Sequence, residues 1–149
     1  MFFLKELPTH QMIQGYVERI PDSNTNAIQH ALVMMRQASL LVRRLDAYFA
    51  SHGLSQLRFL VMIVIDREPD RTDLYANEIA DRIDVSRPVL TRALKSLDQE
   101  GLISSKADES DGRAKRISLT RKGQRRLDAI LPGYFREICD FMEQQKVDV

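Results

Sequence analysis

Ser86, Arg87, Pro88, Thr91, Arg92 and Lys95 fall within ten residues, inside the stretch NEIADRIDVSRPVLTRALKSLDQEGLI. Wound into a helix, Leu90, Ala93, Leu94 and Leu97 point one way, and Pro88, Thr91, Arg92, Lys95 and Gln99 point the other. The outward face then carries a hydroxyl, a guanidinium and an ammonium. Those groups hydrogen-bond base edges and pair with phosphates. A second set follows in DESDGRAKRISLT, where Asp111, Gly112, Arg113 and Lys115 sit at the turn of two strand-like runs. Gly112 reads as the residue that allows a tight reversal, and Asp111 as a brace for the Arg113 guanidinium or a shaper of the turn. An arginine held out on a narrow projection suits the minor groove, where the negative potential is strongest.

Other chemistries find little support. No Ser/His/Asp or Cys/His grouping, paired carboxylate motif or phosphate loop has useful context, so no catalytic residue is assigned and the chain does not read as an enzyme. His10, His30 and His52 are widely separated and lack ligand spacing, so no metal and no cofactor is expected. The single cysteine, Cys139, excludes an internal disulfide framework and fits a reducing cytoplasm. With apolar Ile138 and Phe141 beside it, it reads as a buried structural thiol. The start, MFFLKELPTH, lacks the regions of a secretory signal, and the run FLVMIVI is too short to span a bilayer, so no membrane partner is expected.

The 149 residues suffice for one domain with a sizeable core or a small domain with extra helices. Net charge is only +1, but it is unevenly spread. Between Arg82 and Arg126 twelve basic residues stand against six acidic ones, which gives that segment +6 and leaves −5 for the rest. A basic module on an acidic body is the footprint of a nucleic-acid binder, although many solvated surfaces are locally basic.

The elements that must position these groups follow from periodicity. Met12, Ile13, Tyr16, Val17 and Ile20 share a helical face that Thr9 can cap and Pro21 ends. A long helix runs from about Asn26 to about Ser51 and is closed by Gly53. Its two apolar stripes, one through Leu32, Leu45 and Phe49 and one through Met34, Leu41 and Tyr48, call for burial on two sides. SQLRFLVMIVID fits a buried strand or a buried helix capped by Ser55 equally well, and REPDRTD reads as a loop. Two short helices with Val85 in the turn between them come next, with Ser86 capping the second and Pro88 in its first turn. LISSKAD and AKRISL make a two-stranded hairpin. From the cap Thr120 a last helical stripe includes Leu127, Ile130, Phe135 and Phe141, with a break or kink expected at Pro132-Gly133.

Two short helices followed by a hairpin with a charged tip describe a winged helix-turn-helix: a mainly α fold with a small β-hairpin wing. From about Asn26 to Gln145 the chain resembles the MarR family of bacterial transcriptional regulators. NEIADRIDVSRPVLTRALKSLDQEGLI carries the resemblance, together with the wing pattern Asp111-x-Arg113, five residues, Leu119-Thr120-x-x-Gly123. Tyr75 stands where that family usually places a Thr or Ser cap, and a helix before residue 25 is not general in it.

The chain reads as a single winged-helix domain over 1–149, with an N-terminal arm at 1–25 that lies outside the resemblance. The resemblance implies dimerisation helices at 26–52 and 120–145 and a DNA-reading part at 54–119. It makes SQLRFLVMIVID the helix before the reading head. It implies a cytoplasmic homodimer that binds a pseudo-palindrome in double-stranded DNA, acting as a repressor. Ser86 to Lys95 take the recognition-helix positions, and Arg113 that of the wing arginine. It implies release by a small aromatic or apolar effector, with Met34, Tyr48, Phe59 and Met62 as candidate contacts, although such methionines are also core residues. The alternative is a winged helix used only to bind protein; its usual lack of outward basic residues on both the second helix and the wing argues against it.

Overall fold

The computed structural model describes residues 2–147, with side chains as far as residue 145. The chain divides into two compact units, one up to Leu45 and one from Asp46 onward. The boundary falls inside the long second helix.

The first unit holds α1 (His10–Val17) and most of α2 (Thr25–Ser51). Thr9 Oγ1 accepts the Met12 N–H at 3.3 Å, the expected cap. The helix stops at Val17, before Pro21, and Asp22 turns the chain with φ 61°. Asn24 Oδ1 then accepts the Ala27 N–H at 2.9 Å and starts α2. His10 bonds Gln29 at 3.0 Å, and Arg43 donates to the Phe2 carbonyl at 3.0 Å, so the N-terminal segment is tied to α2 at both ends.

The second unit takes in the last residues of α2, which is followed by Gly53, whose φ of 65° favours glycine. The ambiguous run is a helix, α3 (Gln56–Asp66), capped by Ser55 Oγ, which accepts the Arg58 N–H at 3.3 Å. Phe59, Val61, Met62, Val64 and Ile65 are all buried along it. Burial of such side chains is worth about 1.5–3 kcal/mol each, against a few tenths for the weak helix preference of Val and Ile.

Three strands, not two, form the sheet. β1 (Asp73–Tyr75) joins β2 (Ile103–Ala107) and β3 (Lys115–Leu119) in the antiparallel order β1-β3-β2. The expected loop therefore gives up its last residue, Asp73, to a strand. Leu74 pairs with Ile117 and is fully buried. Three residues are too few for alternation to register in sequence; the partner strand makes them a strand. Between β1 and β2 lie α4 (Ala76–Ala80), shorter than the pattern suggested, and α5 (Arg87–Gln99).

The last helix, α6 (Arg121–Val147), runs through Pro132 without the expected break. Pro132 is exposed, so the lost bond concerns the water-facing side of the helix. Buried Leu127 and Ile130 before it, and Phe141 after it, hold both halves to one face. Thr120 Oγ1 accepts the Gly123 N–H at 2.9 Å and caps the helix. A Cβ on Gly123 would stand 1.9 Å from the Leu102 carbonyl oxygen, so only glycine fits.

Cys139 is exposed, which corrects the buried thiol expected from its neighbours. At helical spacing it lies with Phe135 and Met142, themselves 55% and 49% exposed, and not with Phe141 at 7%. Among the described residues no single helix is long and apolar enough to cross a membrane, and no group of three or more His, Cys, Asp or Glu could hold a metal ion.

Candidate nucleic-acid interface

α5 is anchored by Leu90, Ala93 and Leu97, all buried. Ser86, Arg87, Pro88, Thr91, Arg92 and Lys95 are exposed on its other side, as the spacing required. Ser86 is the N-cap residue by backbone conformation (φ −66°, ψ 149°), yet its hydroxyl makes no capping bond. The Leu90 N–H is met by the Ser86 carbonyl at 3.0 Å, and Pro88 in the first turn has no N–H to satisfy. Thr91 Oγ1 donates to the Arg87 carbonyl at 2.9 Å. With its proton committed, the Thr91 oxygen faces outward as an acceptor, beside the pure donors Arg92 and Lys95.

The wing tip is built by aspartates. Asp111 Oδ1 accepts the N–H of Arg113 at 3.0 Å, and its carbonyl accepts the N–H of Ala114 at 2.9 Å. Asp111 therefore shapes the turn and does not brace the guanidinium. Gly112 has no positive φ and nothing within 4 Å of where its Cβ would be, so the reversal does not depend on glycine's freedom. Arg113 and Lys115 are exposed.

Asp108, at the root of the tip, is 5% exposed and carries most of the local order. Its carboxylate accepts from the Ser110 N–H and hydroxyl, the Asp111 N–H, the Tyr75 hydroxyl and Arg116 Nε. Ser110, then Tyr75 and Arg116, hold the Asp108 carboxyl well below the usual carboxylate range. The same contact raises Arg116 and Tyr75 above their ordinary values, with Asp108 the leading cause for both. Tyr75 also opens α4. It has no short side chain to cap the helix, so Glu78 reaches back and accepts the Tyr75 N–H at 2.8 Å. That bond first, and Arg71 second, lower the Glu78 pKa.

Asn77 joins the two projecting parts. It lines a cavity of about 180 Å³ with Arg87 and Thr91, and another of about 490 Å³ with Ser110, Arg113 and Lys115. The start of α5 and the wing thus flank the exposed start of α4 on one surface. Asn77, Tyr75, Asp108 and Arg116 were not legible as site residues. Only the Asp-x-Ser spacing of Asp108 and Ser110 hinted at a side-chain-built turn.

The four residues assigned to an effector fall apart by environment. Met34 is 67% exposed on α2 in the first unit, whereas Phe59 and Met62 are 1% and 0% exposed in the core of the second. Tyr48 spends its hydroxyl on the Ile130 carbonyl. Phe59 packs with tilted rings into a cluster with Phe49 and Tyr134, at centroid distances of 4.7 Å to each.

Residues 52–114 match the sequence pattern of the MarR family. The chain is 30% identical over 141 residues to the HTH-type transcriptional repressor YetL of Bacillus subtilis, covering 94% of this chain and 83% of that one. Among solved structures it is similar to the Mycobacterium tuberculosis transcriptional regulator MOSR in complex with DNA. That match has 31% identity and a TM-score of 0.58, over 72% of this chain and 75% of that one. AbsC, a MarR family regulator from Streptomyces coelicolor, shares the fold with a TM-score of 0.72 at 15% identity, over 85% of this chain and 82% of its own. The wing, the helix pair before it and these similarities agree: the chain belongs to the MarR family of winged-helix transcriptional regulators.

Proposed function

We propose that this protein binds a pseudo-palindromic site in double-stranded DNA as a homodimer and represses transcription there. The observation that carries the reading is the shared surface on which Arg87 and Thr91 of α5 lie to one side of Asn77, and Arg113 and Lys115 of the wing to the other. A recognition helix suits the major groove and a narrow basic wing the adjacent minor groove, with the phosphate backbone between them. The repressor role follows the similarity to YetL.

Dimerisation is supported by where apolar surface is left in water. Among the described residues the large exposed apolar side chains lie before Asp46 or late in α6: Met12, Tyr16 and Met34 at 60–69%, Phe135 and Met142 at 55% and 49%. None lies between Asp46 and Tyr134. Apolar surface confined to the flanking helices suits a subunit interface. Release by a small aromatic or apolar effector belongs to the same reading. It rests on the family resemblance.

Sequencing genomic fragments selected on the purified protein tests the proposal, with sedimentation alongside. We expect a dimer at micromolar concentration and a motif with inverted half-sites about 10 bp apart, centre to centre. A monomer, or a motif without inverted symmetry, would contradict it. A panel of apolar and aromatic ligands that changed neither thermal stability nor DNA affinity would remove the effector.

A further inference from the structure

The residue that organises the wing is not at its tip. Asp108 ends the paired part of the hairpin, where its own N–H donates to the Ala114 carbonyl at 2.9 Å. Its two carboxylate oxygens serve different partners. Oδ1 accepts the N–H of Ser110 at 2.8 Å and of Asp111 at 3.2 Å, together with the Ser110 hydroxyl, and so holds the tip. Oδ2 accepts Arg116 Nε at 2.8 Å and the Tyr75 hydroxyl, and so fastens that tip to β3 and to the residue that opens α4. Asp111, held through its own N–H, in turn accepts the Arg113 N–H at 3.0 Å. Asp108 thus reaches the backbone of Arg113 through two successive hydrogen bonds. Arg116 faces Tyr75 across the β1–β3 pairing, its guanidinium 5.5 Å from the ring centre, and also approaches Asp73 at 3.6 Å.

We propose that Asp108 is the positioning residue for Arg113, and that with Tyr75 it latches the wing to the start of α4, so that the wing arginine meets DNA already oriented. The proposal rests on the reading of the wing as a DNA contact. A tip ordered only on binding would spend interaction energy on its own conformational entropy, and a pre-ordered tip avoids that loss. Tyr75 is what ties this tip to α4. A Ser or Thr there could cap the helix but could not reach Asp108 as the phenol does.

Charge makes the idea testable by sign. Asp108→Asn removes a negative charge from a surface that faces a polyanion, and electrostatics alone then predicts tighter DNA binding. A lost latch predicts weaker binding. The experiment compares the full-length parent with Asp108→Asn, Tyr75→Phe, Arg113→Ala and Asp108→Asn/Arg113→Ala. Amide hydrogen exchange of the free proteins is read at Ser110, Asp111 and Arg113, and DNA affinity is titrated against salt on a selected site and on scrambled DNA.

Exchange at the three amides should quicken about tenfold or more in Asp108→Asn. Its affinity for the selected site should fall about 5- to 20-fold, with a salt slope reduced toward that of Arg113→Ala. In the Arg113→Ala background the same change should cost less than about twofold, because the group it positions is gone. Unchanged exchange, or Asp108→Asn binding as tightly as the parent while Arg113→Ala binds weakly, overturns the latch alone. If Arg113→Ala binds like the parent, the wing contact itself is wrong and the latch falls with it. Should Asp108→Asn fail to fold, Tyr75→Phe decides: it leaves the charge in place, and unchanged exchange at the three amides there overturns the proposal.

Discussion

The Tyr48 hydroxyl donates to the Ile130 carbonyl at 2.7 Å, in the space that Gly133 leaves by having no side chain. A Cβ on Gly133 would stand 2.2 Å from that oxygen and 2.8 Å from the ring carbon bearing it. The Pro132-Gly133 pair is therefore not a helix break. Its glycine is where the Tyr48 side chain from the end of α2 packs against α6. Gly133→Ala should destabilise the fold by about 1–3 kcal/mol, and Tyr48→Phe by about 1 kcal/mol. The two should combine to less than their sum, since both act on one contact. Urea unfolding at a fixed protein concentration measures this, and strict additivity would refute it.

Gly123→Ala should be worse tolerated than Gly133→Ala. The obstacle at Gly123 is the backbone oxygen of Leu102, 1.9 Å from the added carbon, and no rotamer can move it. A loss of about 2–4 kcal/mol is expected, with the N-terminus of α6 pushed away from β2. A melting temperature equal to the parent's would show that this close approach does not exist in solution.

Arg92 and Arg113 should separate two kinds of contact. Arg92 projects from α5 within reach of base edges, so Arg92→Ala should cost about 1–3 kcal/mol at the selected site and relax preference at one position per half-site. Arg113→Ala should weaken selected and scrambled DNA by similar factors and lower the log–log salt slope by about one. Titrations of both variants on both DNAs decide, and identical profiles for the two variants would contradict the division.

Acid should loosen the reading head from the wing inward. Asp108 and Glu78 both have folded pKa values below their ordinary 3.8 and 4.5. A depressed carboxylate stabilises above its ordinary pKa, and that stability drains away as pH falls toward the folded value. Unfolding midpoints should thus be insensitive to these two groups between about pH 5 and 8, and should drop below about pH 4.5. Asp108→Asn should flatten part of that drop. A variant with the parent's full acid sensitivity would exclude Asp108 as a contributor.

What the sequence alone determined are the features whose cause is local or strictly periodic. Leu90, Ala93 and Leu97 must share a face of any helix containing them, so the outward set from Ser86 to Lys95 followed without tertiary information. The caps at Thr9, Ser55 and Thr120 and the turn at Gly53 are decided within a few residues. The tertiary structure decided what depends on partners distant in sequence. Residues 56–66 are a helix because α5, α6 and β3 pack against them in that form, which outweighs the β preference of their branched side chains. β1 exists because β3 offers it a ladder, and α6 stays whole because its buried residues grip on both sides of Pro132. Cys139 faces outward because its helical position, not its apolar neighbours, sets its direction. Asp108, read in sequence as one acid of a charged tip, became the buried acceptor at its root because the fold brings Tyr75 and Arg116 to it. Side-chain type and spacing named the groups that face outward; which carboxylate is sequestered depends on donors that only the folded chain assembles.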